Sequence, residues 1–286
     1  MIDDRHGRPD SKVHGPLSEA DGRPAAYGFA ATEEGRQTIA ALRRAIDREV
    51  FPLYMNASAL PDADPDPYAY LGEALFRALL AEDRMAFERL ERRLIEEPLP
   101  VDVLDREVVQ PVAKRLGESW CDDSLDFASV TLAASRLQAA LPALLRSAAK
   151  PRGEGRRTRA PAILLCRVQG DEHTLGLPLL AARFEAEGWE VAGGLALESG
   201  EALLAAVAAR RFDAVGIAIG SYRGEAHLRE TIEALRARSA NPDLAILLGG
   251  AAVSTRPDDF EDYGADGVCV DVESALSAAG KALSEG

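Results

Sequence analysis

From about residue 161 onward the sequence repeats one unit: a short apolar run, then apolar residues at helical spacing. The apolar runs are 162–168, 189–192, 214–219, 244–248 and 267–270, and the helical stretches are 177–187, 202–210, 228–238 and 272–283. Apolar runs without polar alternation are the mark of strands buried on both faces, and a helix between successive strands makes each crossover parallel. The pattern predicts an α/β domain built on a doubly wound, five-stranded parallel sheet. Ligands in such sheets bind in the loops at the carboxyl ends of the strands.

The chain before this domain reads differently. Residues 68–149 carry helical periodicity throughout, in stripes that include Leu71, Leu75 and Leu79, then Phe87, Leu90 and Leu94, then Val108, Val112 and Leu116, then Leu137, Leu141 and Leu145. Short connections between four such helices predict an antiparallel bundle, with a kink at Pro111. Thr32 followed by Glu33 and Glu34 is an N-cap signal, and Ile39, Leu42, Ile46 and Val50 continue a further helix as far as Pro52. Alternating Pro and Asp at 61–67 make a connector. Residues 1–31, rich in Gly, Pro, Asp and Arg, show no periodicity and are expected to be disordered. A hydrophilic, Gly-containing linker at 150–160 separates a helical domain, 32–149, from the α/β domain, 161–286.

A net charge of −14 and a pI near 4.8 set this chain against nucleic-acid phosphates. No direct nucleic-acid contact is expected, and a protein partner or small ligand is the better expectation. Neither a membrane span nor a signal-peptide core is apparent, so a cytoplasmic protein is expected. Cys121, Cys166 and Cys269 are scattered and suggest neither a zinc site nor a disulfide framework.

Three loops at strand carboxyl ends carry the chemistry. The first reads Gly170-Asp171-Glu172-His173-Thr174-Leu175-Gly176, and Pro178 suits the first turn of the helix that follows. An imidazole in such a loop, with a carboxylate two residues before it, is a candidate metal ligand with a built-in orienting partner. The second loop reads Gly220-Ser221-Tyr222-Arg223, and the third Gly249-Gly250-Ala251. His227 lacks any such pattern and reads as a surface residue.

The spacing Asp-x-His-x-x-Gly, with the later serine and double-glycine loops, resembles the fingerprint of cobalamin-binding domains. That resemblance implies cobalamin, as adenosylcobalamin or hydroxocobalamin, with its own base detached and His173 as the metal ligand beneath cobalt. Asp171 would orient the imidazole, with Glu172 beside it in the same loop. Gly176 would leave room for the nucleotide tail, Ser221 would hydrogen-bond the tail's base, and Gly249 and Gly250 would line its channel. Tyr222 and Arg223 complete the serine loop, with Arg223 where the family usually has leucine, which makes that wall more polar. Leu116-Gly117-Glu118-Ser119-Trp120 resembles the helical cap that accompanies these domains, in which Trp120 would pack on the upper face of the corrin. Val130 and Thr131 stand where many such caps carry a Glu-His pair, so an upper imidazole is not expected from that position.

The stretch from Thr38-Ile39-Ala40 through Glu49-Val50-Phe51-Pro52-Leu53-Tyr54, and the run Asp123-Ser124-Leu125-Asp126-Phe127-Ala128-Ser129-Val130-Thr131 with Ser135-Arg136-Leu137-Gln138, resemble the N-terminal helix and cap helix of the AerR/PpaA family of photosynthesis regulators. This resemblance implies a light- or redox-responsive antirepressor, not an enzyme, acting on a DNA-binding repressor of the CrtJ/PpsR type. A methyl-carrying corrinoid subunit of a methyltransferase system is the alternative, and haem is an alternative cofactor. A mutase would need a barrel domain that no segment supplies, and no helix-turn-helix pair precedes residue 68.

Overall fold

The structure, a computed structural model, describes residues 24–46, 68–148, 159–173, 175–221 and 227–285. The Pro-Asp connector, most of the linker, Tyr222 and Arg223 lie outside the described residues.

The helical part opens with α1 (Pro24–Ala31) and α2 (Glu33–Ala45). Helix α1 falls inside a segment expected to be disordered; Phe29 and Ala30, which carry no periodic signal in so short a run, pack against the helical core. Thr32 forms the corner between the two helices. Its hydroxyl accepts from the Gly35 N–H at 2.9 Å and donates to the Phe29 carbonyl at 2.7 Å. The bundle then follows as α3 (Ala69–Leu80), α4 (Arg84–Glu96), a composite rod and α7 (Phe127–Ser147). Asp83 caps α4 and Asp126 caps α7. The rod comprises α5 (Val101–Val103), a π-helical segment (Leu104–Val109) and α6 (Gln110–Cys121). Pro111 has no N–H to continue the α-helical ladder, so the expected kink takes the form of a widened π turn just before it. Helix α7 is long and apolar enough by composition to cross a membrane, yet its inner face, with Leu137, Leu141 and Leu144, is buried in the bundle.

The α/β part places five parallel strands in the order β2-β1-β3-β4-β5: β1 (Ala162–Arg167), β2 (Glu190–Glu198), β3 (Ala214–Ala218), β4 (Ala245–Gly249) and β5 (Gly267–Val268). Ile163 pairs with Ala214, and Ala214 with Ala245, so the three central strands are in close register. Their residues are buried almost throughout, as the unbroken apolar runs require. Strand β2 runs well past the predicted 189–192. Gly193 and Gly194 would ordinarily break a strand, but both take positive φ and let it bend and re-pair with β1 across a bulge. Connecting helices are α8 (Gly176–Ala186), α9 (Glu201–Ala209), α10 (Leu228–Arg238), the short α11 (Ala251–Thr255) and α12 (Val272–Glu285).

Helix α8 joins the two halves. Its Leu177 and Phe184 are buried against the sheet, while Leu179 is buried in the core of the helical bundle. The chain order reverses between β1 and β3, so the loops after these two strands diverge and leave a crevice at their carboxyl ends.

Gly250 shows how tightly that end is built. Its φ is +106°, and a Cβ there would lie 2.6 Å from the Ile219 carbonyl oxygen. Gly250→Ala is therefore expected to lower the unfolding free energy by about 1–3 kcal/mol, as other forced positive-φ residues do, in a urea titration. An unchanged midpoint would show that the loop can relax.

Candidate cofactor site

The site begins where β1 ends. Gly170, at φ +74°, turns the chain back and brings Asp171 under the end of the sheet, where it is buried. One carboxylate oxygen accepts from the His173 backbone N–H at 3.0 Å and from the His173 ring Nδ1 at 2.9 Å. The other accepts from the backbone N–H of Gly220, in the loop after β3. Burial pushes the Asp171 carboxyl up, but these hydrogen bonds and the imidazole outweigh it and hold it below the usual carboxylate range. An ionised carboxylate only accepts, so Nδ1 carries a proton, and in the neutral ring the lone pair is left on Nε2. The ring itself is 61% exposed and faces open space.

Two residues that sequence reasoning left unassigned make this geometry possible. A Cβ on Gly220 would sit 2.3 Å from the His173 Cβ and 2.8 Å from an Asp171 carboxylate oxygen. Only glycine lets the second loop close over the pair; its place just before Ser221 at a strand end was the available signal. Arg167, a charge ending an otherwise apolar strand, donates through Nε to the Leu195 carbonyl at 3.0 Å and through a terminal nitrogen to the Asp171 carbonyl. It also pairs with Glu198, so it ties the histidine loop to β2.

Two cavities meet at His173 and Gly176. The upper one, about 440 Å³, is walled on the cap side by Trp120, Phe127, Val130, Thr131, Ala134, Ser135 and Gln138, and on the sheet side by Glu172, His173, Leu175 and Gly176. Trp120 is 55% exposed and Phe127 69% exposed, with ring centroids 6.4 Å apart. Trp120 is thus no core residue of the bundle. The Thr131 hydroxyl donates to the Phe127 carbonyl at 2.7 Å, so its proton is already committed to its own helix. The lower cavity, a cleft of about 250 Å³, runs between α8 and α12 over the sheet. Gly176, Leu177, Gly216, Gly220, Gly249 and Gly250 line it.

Most residues singled out from the sequence therefore converge. Asp171, Glu172, His173, Gly176, Trp120, Val130 and Thr131 surround the junction, and Gly249 and Gly250 line the cleft. The close approach at Gly250 is to the backbone of Ile219, so its lack of a Cβ serves the fold first. Ser221 is half-buried, but among the described residues of its loop it is Gly220 that lines the cleft, and α10 starts only at Leu228 with His227 at its cap position. His227 is exposed, as expected.

The geometry suits a macrocyclic metal cofactor. Among the described residues there is no group of three His, Cys, Asp or Glu side chains placed to hold a metal ion. A lone imidazole with an orienting carboxylate fits a metal whose in-plane ligands arrive with it. A Cβ at Gly176 would meet nothing within 4 Å and would project into the space where the two cavities join. An elongated tail leaving a ring at His173 would pass at that position.

Residues 161–279 match the B12 binding domain family. The chain is 32% identical over 186 residues to an uncharacterised 20.5 kDa Rhodobacter capsulatus protein in the bchF-crtJ intergenic region, covering 63% of this chain and 91% of that protein. The chain belongs to the AerR/PpaA family. The fold of this AerR/PpaA-family protein is also that of the Methanosarcina barkeri monomethylamine corrinoid protein, at a TM-score of 0.57 and 15% identity, covering 74% of this chain and 96% of that one. A cobalamin-binding protein from Desulfitobacterium hafniense DCB-2 aligns at 21% identity over 73% of this chain and 97% of that one, with a TM-score of 0.38. A B12 binding domain beneath a helical cap is the architecture of this family member.

Asp171 yields a pH-dependent test. Its folded-state pKa is depressed, so its stabilisation is present above about pH 4 and is lost as pH falls through the lower folded value. Asp171→Asn is expected to cost about 1–3 kcal/mol at neutral pH in urea unfolding, and the gap to the wild type should narrow below about pH 4. A gap that stays constant into acid would show that the carboxylate charge is not what holds the loop.

Proposed function

We propose that this protein is a corrinoid-dependent, light- or redox-responsive regulator that acts as an antirepressor on a DNA-binding repressor of the CrtJ/PpsR type. The observation that carries this reading is the placement of the ligand imidazole and the exposed cap aromatics on opposite walls of one cavity. A bound corrinoid would supply an axial position whose occupant changes with illumination or oxidation state. His173 would hold the metal from below, and Asp171 would keep the ring in its ligating tautomer. Trp120 and Phe127 would rest on whatever occupies the opposite side, so a smaller or larger group there would move the cap. A change of cap position presents a different surface to a partner, which is the two-state coupling a regulator needs.

Two further features support the choice of partner. The relative from Rhodobacter capsulatus lies, by its name, beside crtJ. The net charge of −14 favours a basic partner and disfavours direct DNA contact. A methyl-carrying corrinoid subunit is the competing reading, and it requires a methyltransferase in place of a repressor.

The test uses full-length protein reconstituted with hydroxocobalamin or adenosylcobalamin, in darkness and after illumination. Repressor capture should differ between the two states. His173→Ala should abolish the imidazole-bound corrinoid spectrum and the light dependence together, while Trp120→Ala should keep the spectrum of the lower ligation and alter the stability of the photoproduct. Equal capture in both states, with methyl groups accepted from a methyltransferase, would favour the carrier. Retention of haem in place of either corrinoid would replace the cofactor.

A further inference from the structure

The cleft between α8 and α12 is lined on its cap side by Asp105 and Gln110, which belong to a charged cluster. Glu273, in the first turn of α12, accepts from Arg183 of α8 at 2.9 Å and from Arg106 in the π-helical segment of the cap. Arg183, only 5% exposed, also reaches Asp105 of the same π segment at 3.3 Å. Asp105 is fully buried and accepts from Gln110 at 3.0 Å, and both residues line the cleft. Both carboxylates have donors, and burial pushes the Asp105 carboxyl up against the pull of Gln110 and Arg183. The cluster therefore joins α8, α12 and the cap, three elements around the same cleft.

Its mechanical sense follows from which parts share a core. Helix α8 reaches into the bundle core through Leu179 and shares the sheet-side core, through Leu177 and Phe184, with Ala275 and Ala279 of α12. Within this cluster Glu273 alone comes from α12, and it clasps one arginine from α8 and one from the cap. The cleft's volume, about 250 Å³, lies just below the range of about 300–1,000 Å³ that ligand sites usually span. Burial pushes the Glu273 carboxyl up, but the hydrogen bonds and charges of Arg183 and Arg106 outweigh it and hold it below the usual range. Glu273 is thus ionised and clasped throughout the neutral range.

We propose that Glu273, held by Arg106 and Arg183, is a latch that draws α12 against α8 and the cap, and that the nucleotide arm of a corrinoid must open it to occupy the cleft. The latch rests on the cofactor-site reading above and adds to it a coupling: filling the lower cleft loosens the cap's hold on α12, while the upper cavity senses the axial group. Lengthening the Glu273 contacts releases Arg106, which stands in the widened π turn where the cap helix has an irregularity to absorb movement.

The experiment compares cobalamin with cobinamide, which has the same corrin ring but no nucleotide arm. Wild type, Glu273→Gln and Arg106→Gln are titrated with each by visible absorbance, and amide exchange of α8 and α12 is followed without cofactor. Glu273 is half-exposed, so its neutral isostere should fold normally, and Arg106→Gln breaks the same latch from the other side. Both variants should bind cobalamin about two- to fivefold more tightly than the wild type, the range set by losing a partly screened ion pair, with cobinamide affinity unchanged. Amide exchange in α12 should rise in the cofactor-free variants. Equal effects on both corrinoids, or none on either, would overturn the latch while leaving the site intact. A wild type that binds neither corrinoid would instead overturn the site reading, and the latch with it.

Discussion

A single buried carboxylate organises the functional end of this molecule. Asp171 accepts from two backbone N–H groups and an imidazole, on three sides of a loop that has little regular structure of its own. Satisfying an ion under the end of a parallel sheet requires that donors come from both loops at the switch point, and Gly220 supplies the one from β3. The same constraint that stabilises the loop therefore aims the histidine. The orientation of the imidazole here is a consequence of hydrogen-bond satisfaction in the fold, with Arg167 fastening the far side of the loop to β2.

The cap and the sheet domain meet along α8, which belongs to both cores. Such a shared helix lets a ligand-sized event at one face reach the other without an extended pathway, because the intervening distance is one packed layer. Above α8 lies an open, aromatic-walled cavity; beside it lies a narrower cleft bounded by ions. Under the proposed reading, the aromatic wall would respond to bulk at an axial position and the charged boundary to separation of helices.

Much of this was legible in the sequence because its signals are local. Uninterrupted apolar runs mark buried strands, and every predicted strand of the sheet appears, with β2 extended where Gly193 and Gly194 look like breakers but act as a bend. The Asp-x-His-x-x-Gly loop is local too, since the carboxylate and imidazole lie two residues apart. Gly220 and Arg167 matter through contacts that close only in three dimensions. The same holds for Asp105, Arg183 and Glu273, which are far apart in sequence and read singly as ordinary surface charges on helices. Trp120 needed the structure to decide between a core role and an exposed one, because a tryptophan at helical spacing suits either.

The claim on which the rest depends is that the nitrogen beneath the metal belongs to His173 and not to the cofactor's own base. Electron paramagnetic resonance of the reduced, cobalt(II) form bound to protein labelled with nitrogen-15 at histidine reads this directly, through the hyperfine splitting from the axial nitrogen. The expected result is that labelling converts a triplet to a doublet and that His173→Ala loses this splitting. A triplet unaffected by the label would place the tail's base on the metal and contradict the assignment of the site.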